Sequence, residues 1–126
     1  MLVETLETAT TWSNLERLYR AVLSALPGLH VGCHISHLYP SGASLYFTVL
    51  GAQSDDPVAQ WGALKAAACR TIVDHGGTIS HHHAVGRDHA AYLPEEVGEL
   101  GIELLRAVKI RCDPAGVMNP GKLLLD

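Results

Sequence analysis

The sequence predicts an α+β domain: an antiparallel sheet built in the order βαββαβ, the ferredoxin-like pattern, with helices on one face plus a C-terminal helix. Three observations predict it. Apolar residues alternate with polar ones in short stretches around residues 2–6, 29–35 and 45–50. One segment between the first two of these and another after the third repeat apolar residues at helical spacing. Turn residues, Pro27-Gly28, Pro40-Ser41-Gly42 and Gly76-Gly77, stand at the ends of the periodic stretches.

Leu2-Val3-Glu4-Thr5-Leu6 alternates weakly and reads as the first strand. Ser13-Asn14-Leu15-Glu16 has the form of a capping box, in which a hydroxyl accepts an early backbone N–H and the glutamate returns to the cap. Leu15, Leu18, Val22 and Leu26 then mark one helix face, and Pro27-Gly28 ends it. Leu29, Val31, Cys33 and Ile35 alternate with His30, Gly32, His34 and Ser36, the pattern of a half-buried strand. Pro40-Ser41-Gly42 turns the chain, and Leu45, Phe47 and Val49 alternate with Tyr46, Thr48 and Leu50. A hairpin with both apolar rows on the core leaves Tyr46, Thr48, His34 and Ser36 together on the opposite face.

Asp56-Pro57 starts the second helix, with Asp as N-cap and Pro in the first turn. Val58, Trp61, Leu64, Ala68 and Ile72 define its buried face, and Gly76 suits the left-handed position after its end. Thr78-Ile79-Ser80 is predicted as a short strand that delivers three histidines. The last helix is predicted from about Pro94 to Arg111, with Val97, Leu100, Leu104 and Val108 as its buried stripe. Glu95 and Glu96 sit near its positive end, Lys109 and Arg111 near its negative end. Gly98 and Gly101 weaken it, each by about 1 kcal/mol against Ala.

Composition narrows the function. Net charge is −4 with Lys and Arg scattered, so no nucleic-acid surface is expected. No apolar run reaches the ~18 residues a membrane span needs, and Met1-Leu2-Val3-Glu4 does not open a signal peptide. Three cysteines, Cys33, Cys69 and Cys112, are odd in number and lack CxxC spacing, which points to reduced, mostly buried thiols and a cytoplasmic location. Only 17% of residues are charged and mean hydropathy is +0.15. Either the core is rich, or apolar surface is left over for a partner domain.

The chemistry concentrates in Ser80-His81-His82-His83-Ala84-Val85-Gly86-Arg87, after Gly76-Gly77. Imidazole moves protons near neutral pH, ligates metals and donates to anions. In an extended backbone His81 and His83 share one side and His82 takes the other. Metal ligation is set aside, because adjacent histidines strain to share one ion and no carboxylate lies within three positions. Tyr46 is a second candidate, an acid–base phenol if its surroundings favour the phenolate. Arg87 offers a bidentate anion contact. No GxGxxG, Walker loop, GxSxG or HExxH occurs, so the chain has no nucleotide cradle of its own.

These motifs, in order along the chain, resemble the C-terminal part of FAD-linked oxidases of the vanillyl-alcohol-oxidase type, a group that includes alkyl-dihydroxyacetonephosphate synthases and glycolate-oxidase-like subunits. The resemblance runs from Thr5-Leu6-Glu7-Thr8-Ala9-Thr10-Thr11-Trp12 through Ser36-His37-Leu38-Tyr39-Pro40-Ser41-Gly42-Ala43-Ser44-Leu45-Tyr46-Phe47-Thr48 and Gly76 to Arg87. It closes with Asp113-Pro114 and Asn119-Pro120-Gly121-Lys122.

The resemblance implies one cap domain over residues 1–126 that covers the ring of FAD, with the FAD-binding domain lying outside the chain. It implies a hydroxy-acid or alcohol oxidoreductase that seats substrate over the flavin, and a chain inactive and weakly FAD-binding when alone. By that likeness Tyr46, His81, His82 and His83 are catalytic, and His82, His83, Arg87 and Asn119 contact cofactor; no metal residue is implied. Ala90 and Ala91, where the family often carries basic residues or Pro, argue against phosphate recognition and so against the synthase reaction. The expected partners are an FAD-binding domain or subunit and a small-molecule substrate. The alternatives are a module that dimerises or docks on a separate FAD subunit through its uncovered sheet face, a synthase-like transferase fragment, or a small metal protein built on the histidine triplet.

Overall fold

The structure is a computed structural model, and it describes residues 1–125. Its order is β1 (Leu2–Thr11), α1 (Trp12–Ala25), β2 (His30–Ser36), β3 (Gly42–Gly51), α2 (Pro57–Asp74), a 3₁₀ turn (Ala90–Tyr92) and α3 (Leu93–Cys112). The chain divides into two compact units, Met1–His83 and a second beginning at Ala84. None of the described helices is long and apolar enough to cross a membrane.

In the first unit the sheet is three-stranded and antiparallel, ordered β1-β3-β2. The predicted hairpin forms, with His34 opposite Tyr46 and Ile35 opposite Leu45. β1 pairs with the other side of β3, Leu6 opposite Phe47 and Glu7 opposite Tyr46. Period-two alternation therefore sends Leu2, Leu6, Leu45, Phe47 and Val49 to one face. There they meet Leu18, Val22 and Leu26 from α1 and Leu64, Ala68 and Ile72 from α2. Ile35, at the end of β2, stays exposed.

The α2 start forms as its sequence dictates: Ala59 N–H donates to Asp56 Oδ1 at 3.0 Å, and Pro57 occupies the first turn. Val58 is an exception to the buried face, 75% exposed in that first turn. The α1 capping box does not form. The helix begins at Trp12 with Thr11 at the N-cap and no side-chain cap bond. Trp12 N–H donates to Ser41 O at 3.2 Å, so the hairpin turn serves one of the unpaired N–H groups at the start of α1. Glu16 is drawn to Arg20 at 2.7 Å.

The expected fourth strand is not a strand. Residues 78–81 lie antiparallel along the free edge of β1, where a fourth strand would be, but make only separate contacts. Thr78 N–H donates to Ala9 O at 3.0 Å and His81 N–H to Glu7 O at 3.1 Å. Thr78 Oγ1 takes the Ala9 N–H at 2.9 Å, a side chain standing in for the ladder. Gly76 (φ 70°) leaves α2 in the left-handed region, as predicted. At Gly77 a Cβ would lie 2.5 Å from Thr8 Oγ1 and 2.8 Å from Leu18 Cδ2, so only glycine lets the chain cross this close to the core.

In the second unit α3 spans the predicted range, but its buried stripe is not the predicted one. Leu100, Leu104 and Val108 are 68%, 60% and 62% exposed, and Val97 is exposed too. Leu93 and Ile102 are the buried positions. Gly98 breaks the helix at φ 74°, ψ 168°, which resets the angular phase that a continuous 3.6-residue repeat assumes. Asp113 closes α3, accepting from Val117 N–H at 3.0 Å, from Met118 N–H at 2.9 Å and from Lys109 Nζ.

All three cysteines are free. Cys69 is buried and Cys112 exposed, against the expectation of mostly buried thiols; burial pushes the Cys33 thiol up to about 11.

Candidate functional site

The side of the sheet away from the helices carries the polar row of β3 and its neighbours. Tyr46 lies there, half-buried, between Glu7 of β1 and His34 of β2. The segment after Gly77 brings His81, His82 and His83 onto the same side. The Tyr46 and His83 rings meet edge to face with centroids 5.4 Å apart. The four residues singled out as catalytic are thus one cluster.

Its centre is a residue the sequence did not single out. Glu7, 6% exposed, points its carboxylate into the imidazoles. Oε1 is 3.2 Å from His81 Nδ1 and 3.8 Å from His37 Nε2, and Oε2 is 3.4 Å from His83 Nε2. Burial pushes the Glu7 carboxyl up. The Ser44 hydroxyl, the His81 hydrogen bond and the charges of His81 and His83 outweigh it, so the group sits below the ordinary glutamate value. The available signal was an acid, one of two with Glu4, inside an otherwise apolar and hydroxylic strand; its partners are distant in sequence, so spacing could not reveal them.

The triplet is not extended. His82 has φ 62°, a left-handed turn that is uncommon outside glycine. His81 and His83 both face Glu7, as alternation predicts. His82 does not go to the far side: it lies 4.2 Å from the His81 ring and stacks on His37 at 4.4 Å. His37, in the β2–β3 loop, is itself at φ 45°. Such conformations cost about 1–3 kcal/mol each and persist where the surroundings fix them. Ring nitrogens of His37, His81 and His82 all lie within 4.8 Å of one another. Two of these rings, His81 and His82, are adjacent in sequence, and the third comes from the β2–β3 loop.

Arg87 and Asn119 belong to the second unit. Leu123 N–H donates to Gly86 O at 2.8 Å, which ties the segment carrying Arg87 to the 119–122 turn. A Cβ on Gly121 would lie 3.9 Å from Arg87 Nη2. Asn119 takes φ 47°, which its side chain tolerates better than most.

The donors of the first unit are imidazoles and phenols around a buried carboxylate. They suit the polar edge of a planar ring and the oxygens of a small substrate. They do not suit a pyrophosphate, which is bound by glycine-rich loops at helix N-termini.

A helix-backed antiparallel sheet with imidazoles, phenols and a buried carboxylate clustered on its open face is compatible with the C-terminal domain class of flavin-linked oxidoreductases. The chain belongs to the family of FAD linked oxidases, C-terminal domain, whose model matches residues 1–123. Complete enzymes of this family carry FAD. The chain is similar to alkyldihydroxyacetonephosphate synthases. It is 36% identical to that of Trypanosoma brucei brucei over 75% of this chain and 16% of the relative. It is 30% identical to that of Dictyostelium discoideum over 98% of this chain and 22% of the relative. A solved alkyldihydroxyacetonephosphate synthase superposes with TM-score 0.58 at 25% identity, covering 94% of this chain and 19% of that one. The chain therefore spans about a fifth of the length of these relatives.

Proposed function

We propose that this chain is the substrate-side part of an FAD-dependent oxidoreductase acting on a hydroxy acid or alcohol. The meeting of Tyr46 with His83 over the Glu7 carboxylate carries the proposal. FAD, held by a domain or subunit outside the chain, supplies the electron-accepting chemistry. Tyr46 handles the substrate proton, and His81, His82 and His83 donate to substrate oxygens and stabilise developing charge. Glu7 holds the imidazoles in place and offsets positive charge that they acquire. His82 and His83 face the flavin ring, and Arg87 and Asn119 are further candidate cofactor contacts.

The chain alone binds FAD weakly and does not turn over substrate. Titration of FAD against the purified chain tests this, and sub-micromolar binding would overturn it. Similarity to the synthases supports a transferase acting on a dihydroxyacetone phosphate ester as a second reading. Ala90 opposes it: this position is buried in the 3₁₀ turn and is not a cation for phosphate. Assaying an FAD-containing protein that carries this chain, with 2-hydroxy acids and a dye acceptor against a dihydroxyacetone phosphate ester and a long-chain alcohol, separates the two.

A further inference from the structure

Tyr39 lies in the β2–β3 loop, and three hydrogen bonds fix its backbone. Tyr39 N–H donates to Gly42 O at 2.8 Å, Gly42 N–H returns to Tyr39 O at 3.3 Å, and Trp12 Nε1 donates to Tyr39 O at 3.0 Å. A residue held this firmly in a loop has its side-chain direction set by the fold. That side chain places its hydroxyl 3.2 Å from His81 Nε2. The opposite nitrogen of the same ring, Nδ1, lies 3.2 Å from Glu7 Oε1.

We propose that Glu7, His81 and Tyr39 form a proton relay, which makes Tyr39 a second acid–base phenol beside Tyr46. Glu7 is a carboxylate and can only accept, so the His81 proton sits on Nδ1. Nε2 is then a bare acceptor aimed at the Tyr39 hydroxyl. When Tyr39 gives up its proton, that proton moves to Nε2. The ring becomes an imidazolium, and the buried carboxylate balances its charge. His37 and His83 also face Glu7, at 3.8 and 3.4 Å, so the carboxylate is stabilised from more than one side.

Tyr39 is 43% exposed, whereas Glu7 and His81 lie behind it. It also lines an open groove of about 570 Å³ with Thr10, Asn14, Arg17, Ser41 and Thr78. Tyr39 is the most exposed member of the relay: its residue is 43% exposed, against side-chain exposures of 16% for His81 and 4% for Glu7. The inference rests on the acid–base reading of this face, but its geometry requires neither flavin nor substrate.

The test uses the chain as it stands, without cofactor. Long-range ¹H–¹⁵N spectra at pH 8 should find the His81 proton on Nδ1. Tyr39→Phe should move the Nε2 resonance and leave Nδ1 in place. Glu7→Gln should remove the preference, and Glu7→Asp should restore part of it. Acetylation by N-acetylimidazole, read by peptide mass spectrometry, should modify Tyr39 fastest among the four tyrosines. It should slow at that site by about 10²-fold in His81→Gln, the low end of what a positioned base contributes. A His81 proton on Nε2, or Tyr39 reactivity unchanged in both His81→Gln and Glu7→Gln, overturns the relay. Neither readout involves FAD or turnover, so a failure of the oxidoreductase proposal would leave these results standing.

Discussion

The carboxylate of Glu7 meets Nδ1 of His81 at 3.2 Å across 74 residues of sequence. The contact joins the first strand to the segment after α2. It makes a buried acid and a run of imidazoles into one electrostatic unit.

Replacing Glu7 with Gln keeps the shape and removes the charge. A buried hydrogen bond to a charged group contributes about 1.5–3 kcal/mol. Glu7→Gln should therefore lower unfolding stability at pH 7 by that amount, measured by urea denaturation. A change below ~0.5 kcal/mol would mean that the imidazoles do not depend on the carboxylate.

The pH dependence follows from the lowered Glu7 carboxyl. A group whose folded value lies below its unfolded one stabilises the fold fully above the unfolded value, about 4.3 for Glu, and loses that contribution as pH falls through the folded value. The stability gap between the native chain and Glu7→Gln should hold from pH 7 to about 5 and shrink below about 4.3. Asp113, lowered chiefly by its hydrogen bond from Lys109 against the effect of burial, has the same sign. A gap that widens as pH falls below about 4.3 would reverse the assignment.

Gly77 passes so close to Thr8, Leu18 and Ile72 that one added carbon must displace them. Gly77→Ala should cost about 1–3 kcal/mol as an overpacked core. It should also shift the His81–His83 side-chain resonances, because the triplet begins four residues on. Unchanged thermal stability would show that the chain crosses elsewhere.

On α3 the break at Gly98 decides which residues matter for folding. Leu104→Ser, at an exposed position, should change stability by less than about 0.5 kcal/mol. Ile102→Ala should cost about 2 kcal/mol or more. The opposite ranking would restore the stripe that uninterrupted periodicity predicts. The exposed apolar row matches the low charge and positive hydropathy of the chain.

In an FAD-containing protein that carries this chain, Tyr46→Phe and His82→Ala should each lower kcat by about 10²–10⁴-fold if they serve acid–base chemistry. Steady-state turnover with a reducible dye checks this. Full activity in both variants would remove the assigned roles.

The sequence by itself determined the first three strands, the three α-helices and their order, the α2 cap at Asp56, the hairpin, and the sharing of one sheet face by Tyr46, His34 and Ser36. These depend on local chemistry and on periods of two and 3.6 residues, which are written in neighbouring positions. It also marked His81–His83 and Tyr46 as the chemistry-bearing residues. Only the tertiary structure brought Glu7, His37 and Tyr39 to them, because such contacts follow from strand order and from the left-handed turns at His37 and His82. It also left residues 78–80 beside β1 without a regular ladder and turned Leu100 and Leu104 outward. Each of these outcomes depends on one backbone rotation or on a distant partner, and neither leaves a repeat in the sequence to read.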